Sequence, residues 1–256
     1  MSTLRIAGTV FVCVLVAGCA TTPVSSLHKS LADQPNHPMP RKILLLPADI
    51  RVHEISAGGV VEKVDDWTGA ASNHAMKSMR SIAGSKKLFE LNEAPAFSDT
   101  DKQVLEQHQA LYELVANSAD FARSGPFMPW RERAKNFDYT LGPGLKDLAV
   151  RGDVDAALIV IGSDYISSAG RKATMALGIL AAAFTGVAVV PAGGVAYVSV
   201  GVIDLRTGNL LWFATNRGQS SDLREEKQVQ AVLDGLFDSY PDAAKAQAVP
   251  AKPGSK

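Results

Sequence analysis

The residues best suited to chemistry stand together near the N-terminus, as Val16, Ala17, Gly18 and Cys19. A cysteine thiolate is a strong nucleophile, so Cys19 can attack an electrophile and keep the group that it acquires. The small side chains of Ala17 and Gly18 leave the backbone open to a protease. The run therefore combines a nucleophile with a peptide bond that can be cleaved.

An apolar leader precedes these four residues. Arg5 supplies a short positive segment, and the run from Ile6 to Val16 is apolar. A run of this length is typical of a secretory signal and too short for a comfortable membrane span. The chain is therefore expected to be exported.

The leader and the four residues resemble the lipobox of bacterial lipoproteins, in which an aliphatic and two small residues precede an acylated cysteine. The resemblance implies removal of residues 1–18, with diacylglycerol and an N-acyl chain on Cys19; several acyl chains anchor a protein firmly. Val16 stands where leucine is commoner. Ala20 and Thr21 follow the cysteine, and the absence of aspartate there implies the outer membrane, facing the periplasm, rather than the inner one. The alternatives are a cleaved signal with a chance cysteine and an uncleaved anchor.

Composition excludes several classes of function. The net charge is zero, so no nucleic-acid partner is expected. Cys13 and Cys19 are the only cysteines, which leaves no thiol in the folded part for disulfides, thiolate metal sites or catalysis. The five histidines lack ligand spacing, and no Gly-x-Ser-x-Gly, phosphate-loop or His-Glu-x-x-His motif occurs. We therefore expect no catalytic residue, no metal and no cofactor besides the lipid.

The rest of the chain divides into three parts. Residues 19–40 are predicted to be a lipidated flexible linker of roughly 25 Å, with His28 and His37 solvated. Residues 41–240 are predicted to form one α/β domain in the periplasm. Residues 241–256 are rich in Ala, Lys and Pro and are predicted to be a disordered tail.

Hydrophobic patterns predict the fold of the domain. Strands are predicted at 41–47, 60–64, 87–91, 156–161 and 195–203, and helices at 67–83 (ended by Gly84), 101–118, 145–150 and from 221. Residues 162–172 are predicted to be a polar tail after their strand. The continuous apolar run at 156–161 favours a strand covered on both faces. The predicted fold class is α/β (α+β): a single three-layer domain, with a mixed sheet flanked by helices.

A hairpin turn follows the last predicted strand. Asp204 can accept hydrogen bonds from the turn backbone, Thr207 can do so more weakly, and Gly208 can supply a positive φ. These residues are interpreted as turn chemistry rather than as catalytic groups.

The least ordinary stretch is free of charge from Ala173 to Ile203. Residues 173–190 would form a helix of about 27 Å, and an apolar helical or hairpin insertion is predicted at 173–194. Three interpretations remain open: a buried or subunit-contacting helix, a segment that enters the membrane beside the lipid anchor, and a crossover inside a large core. A patch this apolar is an association site if it faces water.

The lipobox, the strand 42–47 and the segments 153–165 and 202–213 together resemble a class of bacterial lipoproteins. Their α/β domain is similar to those of curli-secretion lipoproteins, peptidoglycan-synthase activators and the N-terminal domain of the TolB type. The resemblance covers about residues 41–240. It implies a mixed sheet flanked by helices and a role in envelope assembly or partner binding, and it transfers no catalytic residue.

Three functions follow from these expectations. The first is a lipid-anchored, non-enzymatic assembly or interaction module of the cell envelope, which self-associates through 173–203 or binds envelope proteins beside the bilayer. The second is a subunit of an outer-membrane secretion pore. The third, least favoured, is an envelope hydrolase.

Overall fold

The computed structural model of the protein describes residues 23–33, 39–93, 97–124, 136–185, 194–218 and 221–241. The strands are β1 (Val24–Leu27), β2 (Lys42–Leu45), β3 (Asp49–Ile55), β4 (Val61–Lys63), β5 (Glu90–Glu93), β6 (Ala156–Ser167), β7 (Ala196–Asp204) and β8 (Leu210–Gly218). The helices are α1 (Lys29–Ala32), α2 (Asp65–Lys86), α3 (Asp99–Ser124), α4 (Lys146–Gly152, after a 3-10 turn), α5 (Ala169–Thr185) and α6 (Glu226–Phe237).

These strands form one mixed sheet with β6 at its centre. The order is β1-β8-β7-β6-β2-β5, and β3 lies on the same side of β6 as β2, with β4 beyond it. β2 pairs in parallel with the start of β6 and β3 pairs in parallel with its second half, while β7 is antiparallel to it. The long central strand therefore joins both halves of the sheet.

Helices cover both faces of the sheet. Along β6, alternate residues point to opposite sides. Ala156, Leu158 and Val160 are buried in one cluster with residues of α2 and α6, whereas Ala157 and Ile159 are buried in a second cluster with residues of α3. The predicted three-layer class, a mixed sheet flanked by helices, is confirmed.

Asp204 organises the turn between β7 and β8. Its Oδ1 accepts hydrogen bonds from the N–H groups of Arg206 at 2.9 Å and Thr207 at 2.8 Å. The Thr207 hydroxyl accepts one from the Asn209 N–H at 3.2 Å. Gly208 has a φ of 76°, a region that favours glycine.

The linker predicted at 19–40 is wrong for its described part. β1 pairs antiparallel with β8 along its whole length. His28 was expected in solvent but is 5% exposed, and its Nδ1 lies 2.8 Å from the Ser30 hydroxyl. A four-residue strand shows too little periodicity to be recognised, yet it pairs with a backbone edge that would otherwise stay open. The domain therefore begins before residue 41.

Several boundaries also differ from the predictions. β6 continues through the predicted polar tail to Ser167, because β3 supplies hydrogen-bond partners for it. α2 passes through Gly84, and Lys87 ends it with a φ of 53°. β5 begins at Glu90 rather than at residue 87, and α5 begins at Ala169, before the charge-free stretch.

Some predictions lie outside the described residues. These are the leader 1–18, the lipobox residues Val16, Ala17 and Gly18 with Cys19, the tail from 242, and the part of the apolar insertion at 186–193.

Candidate interaction surface

Helix α5 emerges from the end of the central strand. Ser168 precedes its first residue and caps it, because its hydroxyl accepts a hydrogen bond from the Arg171 N–H at 3.2 Å. The Ser168 N–H donates to the Ile55 carbonyl at 2.9 Å, which ties the start of the helix to the end of β3. The orientation of the first turn is thus set by the sheet.

Beyond its first turn the helix is apolar and exposed. Leu177 is 67% exposed, Ile179 59%, Leu180 58% and Phe184 89%. A helix buried in a core would show the opposite, so the interpretation as a crossover inside a large core is wrong for the described residues. Across the described ranges, the helices all fall short of the length and apolarity needed to cross a membrane.

The opposite side of α5 faces the domain only along a narrow stripe. Arg171, Met175 and Gly178 are half-buried and follow one another at i, i+4 and i+7, which places them on one side of the helix. Leu177, Leu180 and Phe184 therefore point away from the domain.

The chain returns from this excursion beside the point where it left. A β-carbon on Gly194 would lie 1.6 Å from the carbonyl oxygen of Tyr165. The Tyr165 N–H donates to the Val195 carbonyl at 3.2 Å, and its ring stacks on His53 with centroids 4.8 Å apart. Gly194 and Val195 therefore contact the end of β6 through backbone atoms.

A second exposed apolar element adjoins the first turn of α5. The turn between β3 and β4 approaches it closely, since a β-carbon on Gly170 would lie 3.4 Å from the β-carbon of Ala57. Val60 and Val61 in the same hairpin are 58% and 48% exposed. The sequence pattern predicts Val60 and Val61 only as the start of the strand 60–64; the signal for their exposure is two adjacent apolar residues directly after Gly58 and Gly59.

A buried polar cluster supports this end of the sheet. Asp164, on β6, is 2% exposed, and its Oδ2 accepts a hydrogen bond from the Leu223 N–H at 2.8 Å. Burial raises the pKa of Asp164. Arg224 binds Asp222 through two hydrogen bonds of 2.9 and 2.7 Å, which lower the pKa of Asp222, and its guanidinium lies 4.5 Å from the Trp67 ring centroid. The hydrogen bond to Asp164 holds the segment before α6 against β6, and the contact of Arg224 with Trp67 holds it against α2.

The opposite end of the sheet is charged. It carries an open groove of about 640 Å³ whose walls include Arg41, Lys42, Asp155 and Arg206. Lys42 forms an ion pair with Asp153 at 2.6 Å, which raises the pKa of the lysine and lowers that of the aspartate. Both acidic and basic groups line this groove, so it has no single sign of charge.

The site residues predicted from the sequence do not converge. Asp204, Thr207 and Gly208 lie in the β7–β8 turn, at the charged end, remote from α5. Cys19 and the lipobox lie outside the described residues. In the part of the chain that the structure describes, no group of three or more His, Cys, Asp or Glu side chains is placed to hold a metal ion.

Comparison with known proteins identifies no family, and the solved structures that align do so only weakly. No protein-family model matches the sequence, and no curated protein does. Two solved structures of the PelC dodecamer from Paraburkholderia phytofirmans, one of them a point variant, are similar in part. The variant aligns at 12% identity with a TM-score of 0.37 and covers 87% of this chain and 98% of its own. The other aligns at 10% identity with a TM-score of 0.35 and covers 84% of this chain and 98% of its own. Values this low carry no inference about assembly or function.

Proposed function

We propose that this protein is a lipid-anchored interaction module of the bacterial cell envelope. It is held at the periplasmic face of the outer membrane by acyl chains on Cys19, and it acts by contact rather than by catalysis. The observation that carries the proposal is the apolar surface of α5, which the described part of the chain leaves uncovered.

Exposure of this kind is unfavourable in water. The side chains of Leu177, Leu180 and Phe184 are each more than half exposed, and adjacent exposed apolar groups mark interaction sites. Contiguous apolar area removed from water contributes roughly 25 cal/mol per Å². The function of α5 is therefore to contact an apolar surface outside the domain.

The contact surface is smaller than the predicted stretch 173–203, because only part of that stretch is exposed. β7, which forms about the last quarter of that stretch, is a buried strand between β6 and β8, with Val198, Val200 and Val202 at 2% exposure or less. Association through β7 would require the sheet to open. We therefore assign the contact to α5.

A non-catalytic role is supported by the hydrogen bonds that three aspartate side chains make within the domain. Asp204 is occupied by the backbone of its turn, and Asp222 is occupied by Arg224. Asp164 is closed off from solvent and bonded to the backbone of Leu223. A general acid or base needs a free group within reach of a substrate, and these carboxylates are engaged structurally.

Acylation at Cys19 tests the anchor directly. The two cysteines provide a matched pair, so we compare wild type with Cys19→Ala and Cys13→Ala by intact mass after expression in a Gram-negative host. Wild type and Cys13→Ala should begin at residue 19 and carry acyl mass, whereas Cys19→Ala should keep its leader and carry none. Mass is the decisive reading, because a retained leader can itself hold a protein in a membrane. Processing of Cys19→Ala at the same bond, or a wild type without acyl mass, would refute the anchor.

A further inference from the structure

The strand registers determine the direction of β1 relative to β6. Val24 pairs with Thr215, Thr215 with Ser199, and Ser199 with Ile161. β1 is antiparallel to β8, β8 to β7 and β7 to β6, so β1 and β6 run in opposite directions. Tracing the chain backwards from Val24 therefore leads towards the end of the sheet where β6 stops and α5 begins.

The predicted lipid attachment point comes close to the level of that end when the intervening chain is extended. Cys19 stands five residues before Val24, which is at most about 17 Å of extended chain. Ser167 lies six residues beyond Ile161, about 20 Å along β6. The acylated residue and the first turn of α5 can therefore meet the same membrane surface.

The two ends of the sheet differ in their exposed apolar side chains, although Glu62 and Lys63 are exposed beside Val61. We call the end that carries α5, Val60 and Val61 the apolar end. The opposite end carries the ion pair of Lys42 with Asp153 and the exposed Arg206. Placing the apolar end on a bilayer leaves the charged end in water.

The chemistry of α5 suits lipid better than a protein partner. From Ala173 to Phe184 no residue is charged, and the Thr174 hydroxyl donates to the Gly170 carbonyl at 3.0 Å, so its donor is satisfied within the helix. The exposed residues from Ile179 round to Leu177 cover about 160° of the helix at 3.6 residues per turn. A protein interface has an apolar centre with a polar rim, whereas the charged residues of α5 are confined to its first turn.

We propose that the apolar end faces the bilayer and that α5 enters its interfacial region, as a second, non-covalent attachment beside the lipid on Cys19. Lys172 lies exposed at the first turn, where a basic side chain can reach lipid headgroups while the following turns sit among acyl chains. This inference rests on the proposed lipid anchor.

The cysteine content makes the orientation measurable. Once the leader is removed and Cys19 is acylated, the remaining sequence has no thiol. We therefore introduce Leu177→Cys or Leu180→Cys and attach an environment-sensitive dye to the purified lipidated protein. The matched controls are Leu114→Cys on α3, where the native leucine is also 67% exposed, and Arg206→Cys at the charged end.

The labelled proteins are reconstituted into vesicles of phosphatidylethanolamine and phosphatidylglycerol. We expect the dye at positions 177 and 180 to shift to the blue, to be quenched by doxyl-labelled lipid and to be protected from iodide. At positions 114 and 206 it should stay in water, quenched by iodide and not by lipid.

Two results overturn the inference. Dye at 177 that iodide reaches as freely as at 114 shows that α5 stays in water. Dye at 177 that is shielded from iodide but not reached by doxyl lipid, with shielding that falls on dilution, assigns the surface to a second copy of the chain. Intact mass and vesicle flotation of the same samples test the anchor separately: acylated, floating protein with α5 in water refutes the inference alone, whereas protein without acyl mass refutes the proposed function.

Discussion

Gly194 lies against the backbone of Tyr165 so closely that a β-carbon would fall 1.6 Å from the tyrosine carbonyl oxygen and 2.7 Å from its carbonyl carbon. The strand that leads out to α5 and the strand that returns from it are thus in direct contact. Because backbone atoms cannot move aside as a flexible side chain can, only glycine fits at residue 194. The apolar excursion therefore leaves and re-enters the sheet at one point.

Replacing this glycine should separate the two strands. We expect Gly194→Ala to lower the free energy of unfolding by about 2 kcal/mol, as overpacking against rigid atoms does. Urea unfolding followed by circular dichroism measures the change. Gly235→Ala is the control, because nothing lies within 4 Å of a β-carbon there; in the interior of α6 it should stabilise by about 0.5–1 kcal/mol. Equal effects of the two variants would contradict the contact.

Tyr112 joins α3 to the centre of the sheet. Its hydroxyl lies 2.9 Å from that of Ser199, and both residues are fully buried. Removing one partner leaves the other without a hydrogen bond, so we expect Tyr112→Phe to cost about 1–3 kcal/mol. The double variant Tyr112→Phe/Ser199→Ala should lose less than the sum of the two single variants. Strict additivity in the same unfolding assay would show that the hydroxyl groups do not interact.

Asp164 should make stability fall as pH rises. Burial raises its folded-state pKa above the unfolded value of about 3.9, so the folded state holds this proton more tightly. The free energy of unfolding then decreases as pH rises from about 4 through the folded pKa. Asp164→Asn removes this dependence, and the amide oxygen can still accept from Leu223. We therefore expect the free energy of unfolding of the variant to increase relative to that of wild type as pH rises.

Asp222→Asn supplies a control, because Asp222 should change stability with pH in the opposite direction to Asp164. Arg224 lowers the pKa of Asp222, so the stability from this pair is present above about pH 4 and is lost as pH falls through the lowered pKa. Asp222→Asn should therefore be less stable than wild type at pH 7 and should approach it in acid. Unfolding at a series of pH values measures both differences. Curves for the two variants that run parallel to wild type would contradict the assignment.

The apolar residues of α5 should contribute little to the stability of the domain. Leu177 and Leu114 are equally exposed, so Leu177→Glu and Leu114→Glu should each change the free energy of unfolding by less than about 0.5 kcal/mol. The two should differ in association: Leu177→Glu should reduce concentration-dependent association of detergent-free protein, and Leu114→Glu should reduce it less. Sedimentation velocity measures this. A large loss of stability from Leu177→Glu would show that α5 packs within the domain.

Local sequence patterns were sufficient for the class of fold and for much of its centre. The run at 156–161 is apolar at every position, as expected for a strand buried on both faces. The periodicity of α2 and α3 marks the faces that cover the sheet. The charge-free stretch identified α5 as exceptional, because charge is a property of residue type alone. The lipobox, likewise, is a matter of adjacent residue types, and acylation of Cys19 stays a prediction.

The tertiary structure decided what depends on pairing between distant segments. β1 and the polar half of β6 are strands because β8 and β3 supply their hydrogen-bond partners, and neither has a strong pattern of its own. Asp164 looks like any surface carboxylate in the sequence, yet the segment before α6 buries it. That β1 runs opposite to β6, so that its start points towards the end from which α5 leaves, follows from three successive strand registers. A register joins residues far apart in the chain, so no local pattern of residues specifies it.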